Sequence, residues 1–498
     1  MFETAELGQT VGKEEYEREV ETLRLRLLDV QTRLKEANFP VIVLISGVEL
    51  AGKSETVQKL LEWLDPRFVE THGFRRATAA ERAFPPFHRF WRRLPARGRI
   101  GVFFGNWYTE PLVARAYKEI SDADLVAAMT QVNTFERELA AGGALVLKFW
   151  FHLSKKAQKK RIGKLLKDPD ESYRVSDFER EYSKRYDAFL KVSERALSLT
   201  TTAEAPWVLV EGDDKRYRSL LVGRTLVERL EKALSAVASK RSSAKASAVV
   251  VETPPARETL GRLVLDGVDL SQRLDDDEYE RELDELESRF GRLCRKLERQ
   301  GKSAVLAFEG WDAAGKGGVI RRVVGAIDPR LYSVIPVAAP SDEEKAHHYL
   351  WRFWRHVPGP GRISLFDRTW YGRVLVERVE GFANRDEWSR AYAEINDFER
   401  QLTEHGIAVE KFWLHVDRDE QERRFREREN TAWKRFKITE EDWRNRSKWS
   451  EYEVAVHDMV EKTSTVEAPW NLVPCNDKKF GRVFVLRALC RRLERHLG

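Results

Sequence analysis

The chain is written twice, and that repeat limits its possible folds more tightly than any other feature. Gly47-Val-Glu-Leu-Ala-Gly-Lys53 returns as Gly310-Trp-Asp-Ala-Ala-Gly-Lys316, and Arg89-Phe-Trp-Arg92 as Arg352-Phe-Trp-Arg355, each 263 residues later. Asn133 with Phe135-Glu-Arg137, Lys148-Phe-Trp150 and Glu204-Ala-Pro-Trp207 recur at the same offset. Their second forms are Asn396 with Phe398-Glu-Arg400, Lys411-Phe-Trp413 and Glu467-Ala-Pro-Trp470. A constant offset over such separated stretches means two copies of one unit, alike in length and different in detail. Between them, residues 235–247 and Glu252-Thr-Pro-Pro-Ala256 are small, polar and proline-bearing. That composition predicts a flexible linker over 235–269, flanked by units at 7–234 and 270–497.

Each copy alternates short apolar runs with amphipathic helical patterns. In the second, a charged helical stretch over Asp277–Arg299 leads into Ala304-Val-Leu-Ala-Phe308, followed by a glycine-rich turn and a helix over Gly317–Ile327. Later apolar runs occupy Ile363–Phe366, Val409–Val416 and Trp470–Val473. This alternation predicts an α/β fold, a parallel sheet sandwiched by helices. Hydrophobic residues make up 42% of 498, enough for real cores, and 87 basic against 81 acidic residues leave a formal +6. So small an excess does not call for nucleic acid, yet it suits an anionic substrate where basic residues cluster. Cys294, Cys475 and Cys490 lie far apart without metal spacing, which argues against a disulfide framework and for a reducing cytoplasm. Met1-Phe-Glu-Thr-Ala-Glu6 is acidic and does not read as a signal peptide, and no apolar run reaches the roughly 20 residues of a membrane span.

The turn Gly310-Trp-Asp-Ala-Ala-Gly315-Lys316 has the spacing G-x4-G-K between an expected strand and an expected helix. That setting makes it a phosphate cradle: glycines let backbone N–H groups converge on phosphate oxygens, and the helix N-terminus adds its dipole. The bland alternative, a tight turn with a surface lysine, does not account for the context. Gly310, Ala313, Ala314, Gly315 and Gly317 are then phosphate-binding positions. The first copy fits the full expression better, because Ser54 supplies the hydroxyl that Gly317 lacks.

The next strand reverses that preference. The second copy reads Ile363-Ser-Leu-Phe-Asp367-Arg368-Thr-Trp-Tyr-Gly-Arg373, the first Ile100-Gly-Val-Phe-Phe104-Gly105-Asn-Trp-Tyr-Thr-Glu110. An aspartate at the carboxyl end of a strand beside such a loop is where phosphoryl-transfer enzymes hold magnesium. Asp312 in the loop is Glu49 in the first copy, which has also lost the carboxylate, the following arginine and the later one. Asp312 and Asp367 are hard oxygen ligands able to compensate for the missing hydroxyl. Asp367-Arg368 alone could be a capped helix start with a local salt bridge. Joint loss in the sister copy favours function.

At these residues the sequence resembles a family-2 polyphosphate kinase. The motifs are Gly310 to Gly318, Trp351-Arg-Phe-Trp-Arg355, and Phe366-Asp-Arg-Thr-Trp-Tyr-Gly-Arg373 with Glu377. Lys411-Phe-Trp-Leu-His415, Thr463-Ser-Thr465, Ala468-Pro-Trp470 and Asn476-Asp-Lys478 extend the match over most of the second copy. The tandem arrangement resembles the fused members, which phosphorylate AMP to ADP with inorganic polyphosphate. The resemblance implies tandem thymidylate-kinase-like P-loop domains with a helical lid, here over Arg418–Lys437, and a degenerate first copy. It implies Asp312 and Asp367 on magnesium, with manganese as the alternative, and Lys316 on the phosphates being exchanged. Arg368 and Arg373 would meet transition-state or donor charge, and Arg423 and Arg426 a polyphosphate track. Inorganic polyphosphate and AMP or ADP are the implied partners, without nucleic acid or membrane, and a homo-oligomer stays open.

Read from the residues alone, Arg423, Arg424 and Arg426 follow Asp419, Glu420 and Glu422 by four, the spacing of a solvated, self-paired helix. His347-His348 lacks a ligand partner, and Trp351, Trp354, Trp370 and Trp413 read as packing. Asn476-Asp477 reads as a helix cap and Cys475 as inert. An acceptor phosphate is already anionic at neutral pH, so transfer needs positioning and charge neutralisation rather than a strong base. The competing readings are an ATP-dependent nucleotide kinase and a non-catalytic scaffold for polyphosphate or nucleic acid.

Overall fold

A computed structural model of the chain describes residues 1–246, 261–432, 438 and 440–498. These form two compact units. Among the described residues the first holds 1–79, 89–246 and 345–348, and the second holds 80–88, 261–344 and the described part of 349–498.

The principal elements of the first copy are α1 (Lys13–Ala37), β1 (Val41–Gly47), α2 (Lys53–Trp63), β2 (Val69–Gly73), β3 (Ile100–Phe104) and α3 (Asp122–Ala141). They continue as β4 (Leu145–His152), α4 (Lys155–Lys167), α5 (Tyr186–Thr200), β5 (Trp207–Glu211) and α6 (Lys215–Ala246). The second copy begins with α7 (Asp276–Arg299), β6 (Ser303–Gly310), α8 (Lys316–Gly325), β7 (Tyr332–Pro336), β8 (Ile363–Asp367) and α9 (Arg385–Glu404). It ends with β9 (Ile407–His415), α10 (Arg418–Asn430), α11 (Glu440–Ser447), α12 (Trp449–Thr463), β10 (Trp470–Pro474) and α13 (Lys478–Leu497).

The two sheets share one topology, β2-β3-β1-β4-β5 and β7-β8-β6-β9-β10. Every pairing is parallel. Helices cover both faces, which explains why β1 reads as an apolar run rather than an alternating one and why β9 is buried at every residue. Val41, Val43 and Ile45 of β1 pack in one core with Leu27 and Val30 of α1 and Leu226 and Leu230 of α6. Strand order reverses beside β1 and beside β6, and a crevice for ligand opens at such a switch point, past the strands' carboxyl ends.

The expected linker starts as helix. α6 continues to Ala246 because neither Gly nor Pro interrupts residues 224–246, and Ala, Lys and Arg carry little helical penalty. Val264–Gly267 forms a short 3-10 turn, while residues 247–260 lie outside the described residues.

Several repeated letters resolve into one buried network, present in both copies. Lys411 Nζ donates to Glu399 Oε2 at 2.7 Å, Tyr371 Oη at 2.8 Å and the Thr463 carbonyl at 2.7 Å. Trp370 Nε1 and Tyr371 Oη both donate to Glu399 Oε1, at 3.0 and 2.6 Å. Lys148, Glu136, Tyr108, Thr200 and Trp107 repeat the arrangement, with Lys148 Nζ 2.8 Å from Glu136 Oε2. A buried charge tolerates this environment only when fully paired. The network pins the Trp-Tyr turn that follows β3 and β8, and in the second copy that turn follows Asp367 and Arg368.

Candidate active site

β6 ends in Phe308-Glu309-Gly310, and the chain turns through Trp311 to Gly315 into α8. Gly310 has φ +148°, and a Cβ there would lie 2.5 Å from the Leu414 carbonyl oxygen of the neighbouring strand. Ala313 (φ +62°) and Gly315 (φ +112°) are left-handed, the alternation that builds an anion nest at a helix start. The loop is also held from outside. Arg424 of α10 is buried, and its Nη1 donates to the Ala313 and Ala314 carbonyls at 3.0 and 2.9 Å. Its Nη2 donates to the carbonyls of Cys475 and Asn476, and Gln421 Nε2 donates to that of Asp312 at 3.1 Å. Carbonyls drawn to one side leave the Ala313, Gly315 and Gly317 N–H groups for the other, while those of Trp311 and Ala314 donate to the Leu414 and Trp311 carbonyls.

Arg424 therefore does not lie on a solvated face, as its spacing suggested; it clamps the loop to the turn after β10. Arg161 does the same in the first copy, donating to the carbonyls of Leu50 at 2.7 Å and Asp213 at 2.9 Å. Trp311 supplies a second brace. Its Nε1 donates to His415 Nδ1 at 2.9 Å, and its ring stacks on Trp449 at 3.8 Å. Burial pushes the His415 imidazole down to about 4, so it is neutral and accepts at Nδ1. Val48 and Tyr186 occupy the Trp311 and Trp449 positions in the first copy.

Lys316 folds back onto its own loop, donating from Nζ to the Gly310 carbonyl at 2.6 Å and the Trp311 carbonyl at 3.1 Å. Burial lowers its pKa, opposed by Asp312, Glu309 and Asp367. Lys53 instead donates to Glu49 Oε1 at 2.8 Å as well as to the Gly47 carbonyl. The longer Glu49 reaches the lysine and neutralises it. Asp312 turns away: its Oδ1 accepts from Arg368 Nη2 at 3.1 Å and its Oδ2 from Asn445 Nδ2 at 3.0 Å.

β8 carries Asp367 in register with Phe308, one residue before Glu309, so the strand tips bring Asp367 and Arg368 beside the loop. Arg368 has φ +63°, a conformation costing a non-glycine residue about 1 kcal/mol. The first copy places Gly105 there at φ +74°. Burial works against the Arg368 charge, but Asp312 and Glu309 offset it and raise the pKa. Arg373 pairs with Glu377 at 3.1 Å and lies over the Tyr349 ring at 4.6 Å. Gly317 opens α8's first turn with nothing within 4 Å of a built Cβ.

Arg423 and Arg426 lie apart from this cluster, with side chains 60% and 69% exposed. Arg426 pairs with Glu422 as its spacing suggested, whereas Arg423 pairs with Glu420, three residues back, and not with Asp419. Of the expected lid over Arg418–Lys437, residues 433–437 lie outside the described residues. Trp351, Trp354, Trp370 and Trp413 are all buried. Asp477 caps α13 through the Phe480 N–H, but Asn476 bonds Asp417 instead. Burial raises the Cys475 thiol to about 12.

One residue escaped sequence reasoning. Glu309 is buried, with Oε1 accepting from Thr369 Oγ1 at 2.8 Å, and burial raises its pKa against Thr369, Lys316 and Arg368. The available signal was Ser46 at the matching position, which makes the equivalent bond with Asn106 at 2.9 Å. Glu309 lines an open cleft beside the loop, with Asp312, Arg368, Leu375, Asn445 and Tyr452 among its other walls. The cleft joins two acids, a loop of amides and apolar surface, a combination that can hold a phosphorylated organic molecule.

A family model described as polyphosphate kinase 2 matches residues 10–237 and again 273–497. Over 99% of both chains, the sequence is 51% identical to a polyphosphate:AMP phosphotransferase of Pseudomonas aeruginosa. A protein of the same name from Acinetobacter johnsonii is 39% identical over 95% of this chain and 96% of its own. The crystal structure of a putative polyphosphate kinase 2 from Pseudomonas aeruginosa superposes with a TM-score of 0.87 at 49% identity, covering 100% of this chain and 99% of the other.

Proposed function

The chain belongs to the polyphosphate kinase 2 family, and on that premise we propose that its second copy transfers the terminal phosphoryl group of inorganic polyphosphate to AMP, giving ADP. The observation carrying this reading is the Asp312–Arg368 pair held over a braced phosphate loop, on a left-handed arginine whose counterpart is glycine. Strain of that kind is kept where a side chain is needed at a fixed place.

An AMP phosphate oxygen attacks the terminal phosphorus of the chain. One P–O bond forms, the outermost phosphoanhydride bond breaks, and the shortened chain leaves as an anion. The oxygen is already charged, so no residue has to remove a proton. Loop amides from Gly310, Ala313, Gly315 and Gly317 receive phosphate oxygens. Lys316 exchanges its own carbonyl partners for them. Arg368 and Arg373 face the charge that spreads during transfer, while Arg423 and Arg426 meet the donor chain further out. The cleft takes the nucleoside.

Asp312 and Asp367 would hold magnesium, which supplies charge neutralisation between donor and acceptor. Both act on the same Lys316 and Arg368, and among the described residues no cluster of three or more His, Cys, Asp or Glu could hold a metal ion. Two hard carboxylates with the remaining positions left to phosphate and water suit that ion. The first copy, residues 7–234, is the silent half: its lysine is neutralised by Glu49, and its strand tip ends in Phe104-Gly105.

Purified protein given AMP, magnesium and polyphosphate without ATP should produce ADP as the chain shortens. If AMP is phosphorylated only when ATP is added, the protein is an ATP-dependent nucleotide kinase instead.

A further inference from the structure

The helices that follow β4 and β9 occupy matching places and are both 13 residues long, yet their charges differ completely. α10 carries five basic and five acidic residues, interlocked in ion pairs. α4, Lys155–Lys167, carries seven basic residues and no acid. Two of the seven are engaged: Arg161 is the loop clamp, and Lys155 pairs with Asp187. Lys156, Lys159, Lys160, Lys164 and Lys167 are exposed, and among the described residues none has an ion-pair partner. At 100° per residue these five fall within about 140° of arc, one face running roughly 16 Å along the helix. Gly163, the counterpart of Arg426, sits in the middle of that face with nothing within 4 Å of a built Cβ. Asp168 and Asp170 lie just beyond its C-terminal end.

We infer that this face of α4 is a second, non-catalytic binding site for a linear polyanion, and that its occupant is inorganic polyphosphate. Five like charges on one helical face repel one another and weaken the helix, a cost that an anion lying along them would relieve. A spread stripe without a pocket suits a chain of repeated charges rather than a single phosphate. The first copy, with its transfer chemistry gone, retains a polyphosphate-handling role: it holds long chains and raises their local concentration. The occupant rests on the proposed function, while the site itself rests on charge alone.

The test replaces Lys156, Lys159, Lys160 and Lys164 together by Gln in the full chain, and separately by Arg. Gln keeps helix propensity close to that of Lys. Binding of end-labelled long-chain polyphosphate is measured without AMP, so that no transfer occurs. The Gln variant should bind at least about tenfold more weakly at low salt, with its log–log salt slope reduced by about three. The Arg variant should bind like the natural protein. With AMP present, the KM for long chains should rise in the Gln variant, while that for tripolyphosphate changes by less than twofold. Equal binding and equal chain-length dependence in all three proteins would overturn the inference while leaving the proposed reaction intact. A natural protein that neither binds nor consumes polyphosphate would instead sink the proposed reaction. Tighter binding of single-stranded RNA than of polyphosphate, lost in the Gln variant, would overturn the choice of occupant.

Discussion

Asp312 accepts a hydrogen bond from Arg368 at 3.1 Å across the mouth of the phosphate loop, an ion pair that neither residue's counterpart, Glu49 or Gly105, can make. The pair is the sharpest difference between two otherwise superimposable plans.

Lys316→Ala and Asp367→Asn should each lower the rate of ADP formation on the order of 10²–10³-fold, as removal of a preorganised charge does. Lys53→Ala, which removes the pair with Glu49 and the bond to the Gly47 carbonyl, should change it less than about threefold. Steady-state rates on the three variants decide the matter, and equal losses would contradict the assignment of the active copy.

Arg368→Gly should separate stability from activity. Glycine adopts φ +63° without the penalty an arginine suffers, a gain of about 1 kcal/mol partly offset by glycine's greater unfolded freedom. The melting temperature should hold or rise while turnover falls on the order of 10²-fold. A variant that loses stability would show that the guanidinium is chiefly structural.

Arg424→Lys and Arg161→Lys remove matching loop clamps. Each leaves buried carbonyls underpaired and should cost about 2 kcal/mol of stability. On the proposed function, only Arg424→Lys should raise the KM for polyphosphate. Thermal melts and kinetics on both proteins test the distinction.

His415 gives a pH signature. Its folded pKa of about 4 lies below the ordinary 6.5, so its contribution to stability is fully present above pH 6.5 and is lost as pH falls towards 4. At 1.36 kcal/mol per pKa unit the loss approaches about 3 kcal/mol. His415→Gln, which can still accept from Trp311, should flatten that part of the stability curve. Denaturant midpoints measured between pH 7 and pH 4 for both proteins report the difference, and parallel curves would rule it out.

What the sequence made legible was whatever is local. The phosphate loop and the strand before it declare themselves within a dozen residues, and the repeat locates Asp367 by pointing to Phe104. Arg424 was illegible because its spacing to Glu420 is genuine: it makes that pair and also turns a full set of donors inward. Which side of α10 meets the sheet is decided by tertiary packing. Glu309 was hidden at the end of an apolar strand. Lys411, Glu399 and Tyr371 were visible as repeated letters, but their meeting depends on how two strands and a helix dock.

That buried meeting constrains how such a chain can change over generations. Exposed tips of strands can be swapped one residue at a time, and in the first copy the carboxylate and both arginines have gone this way. Lys148 and Glu136 cannot follow singly, since either change strands the other as a lone charge in the interior at about 3–5 kcal/mol. The first copy therefore keeps the same inner ionic lock as the second even where its strand tips have drifted.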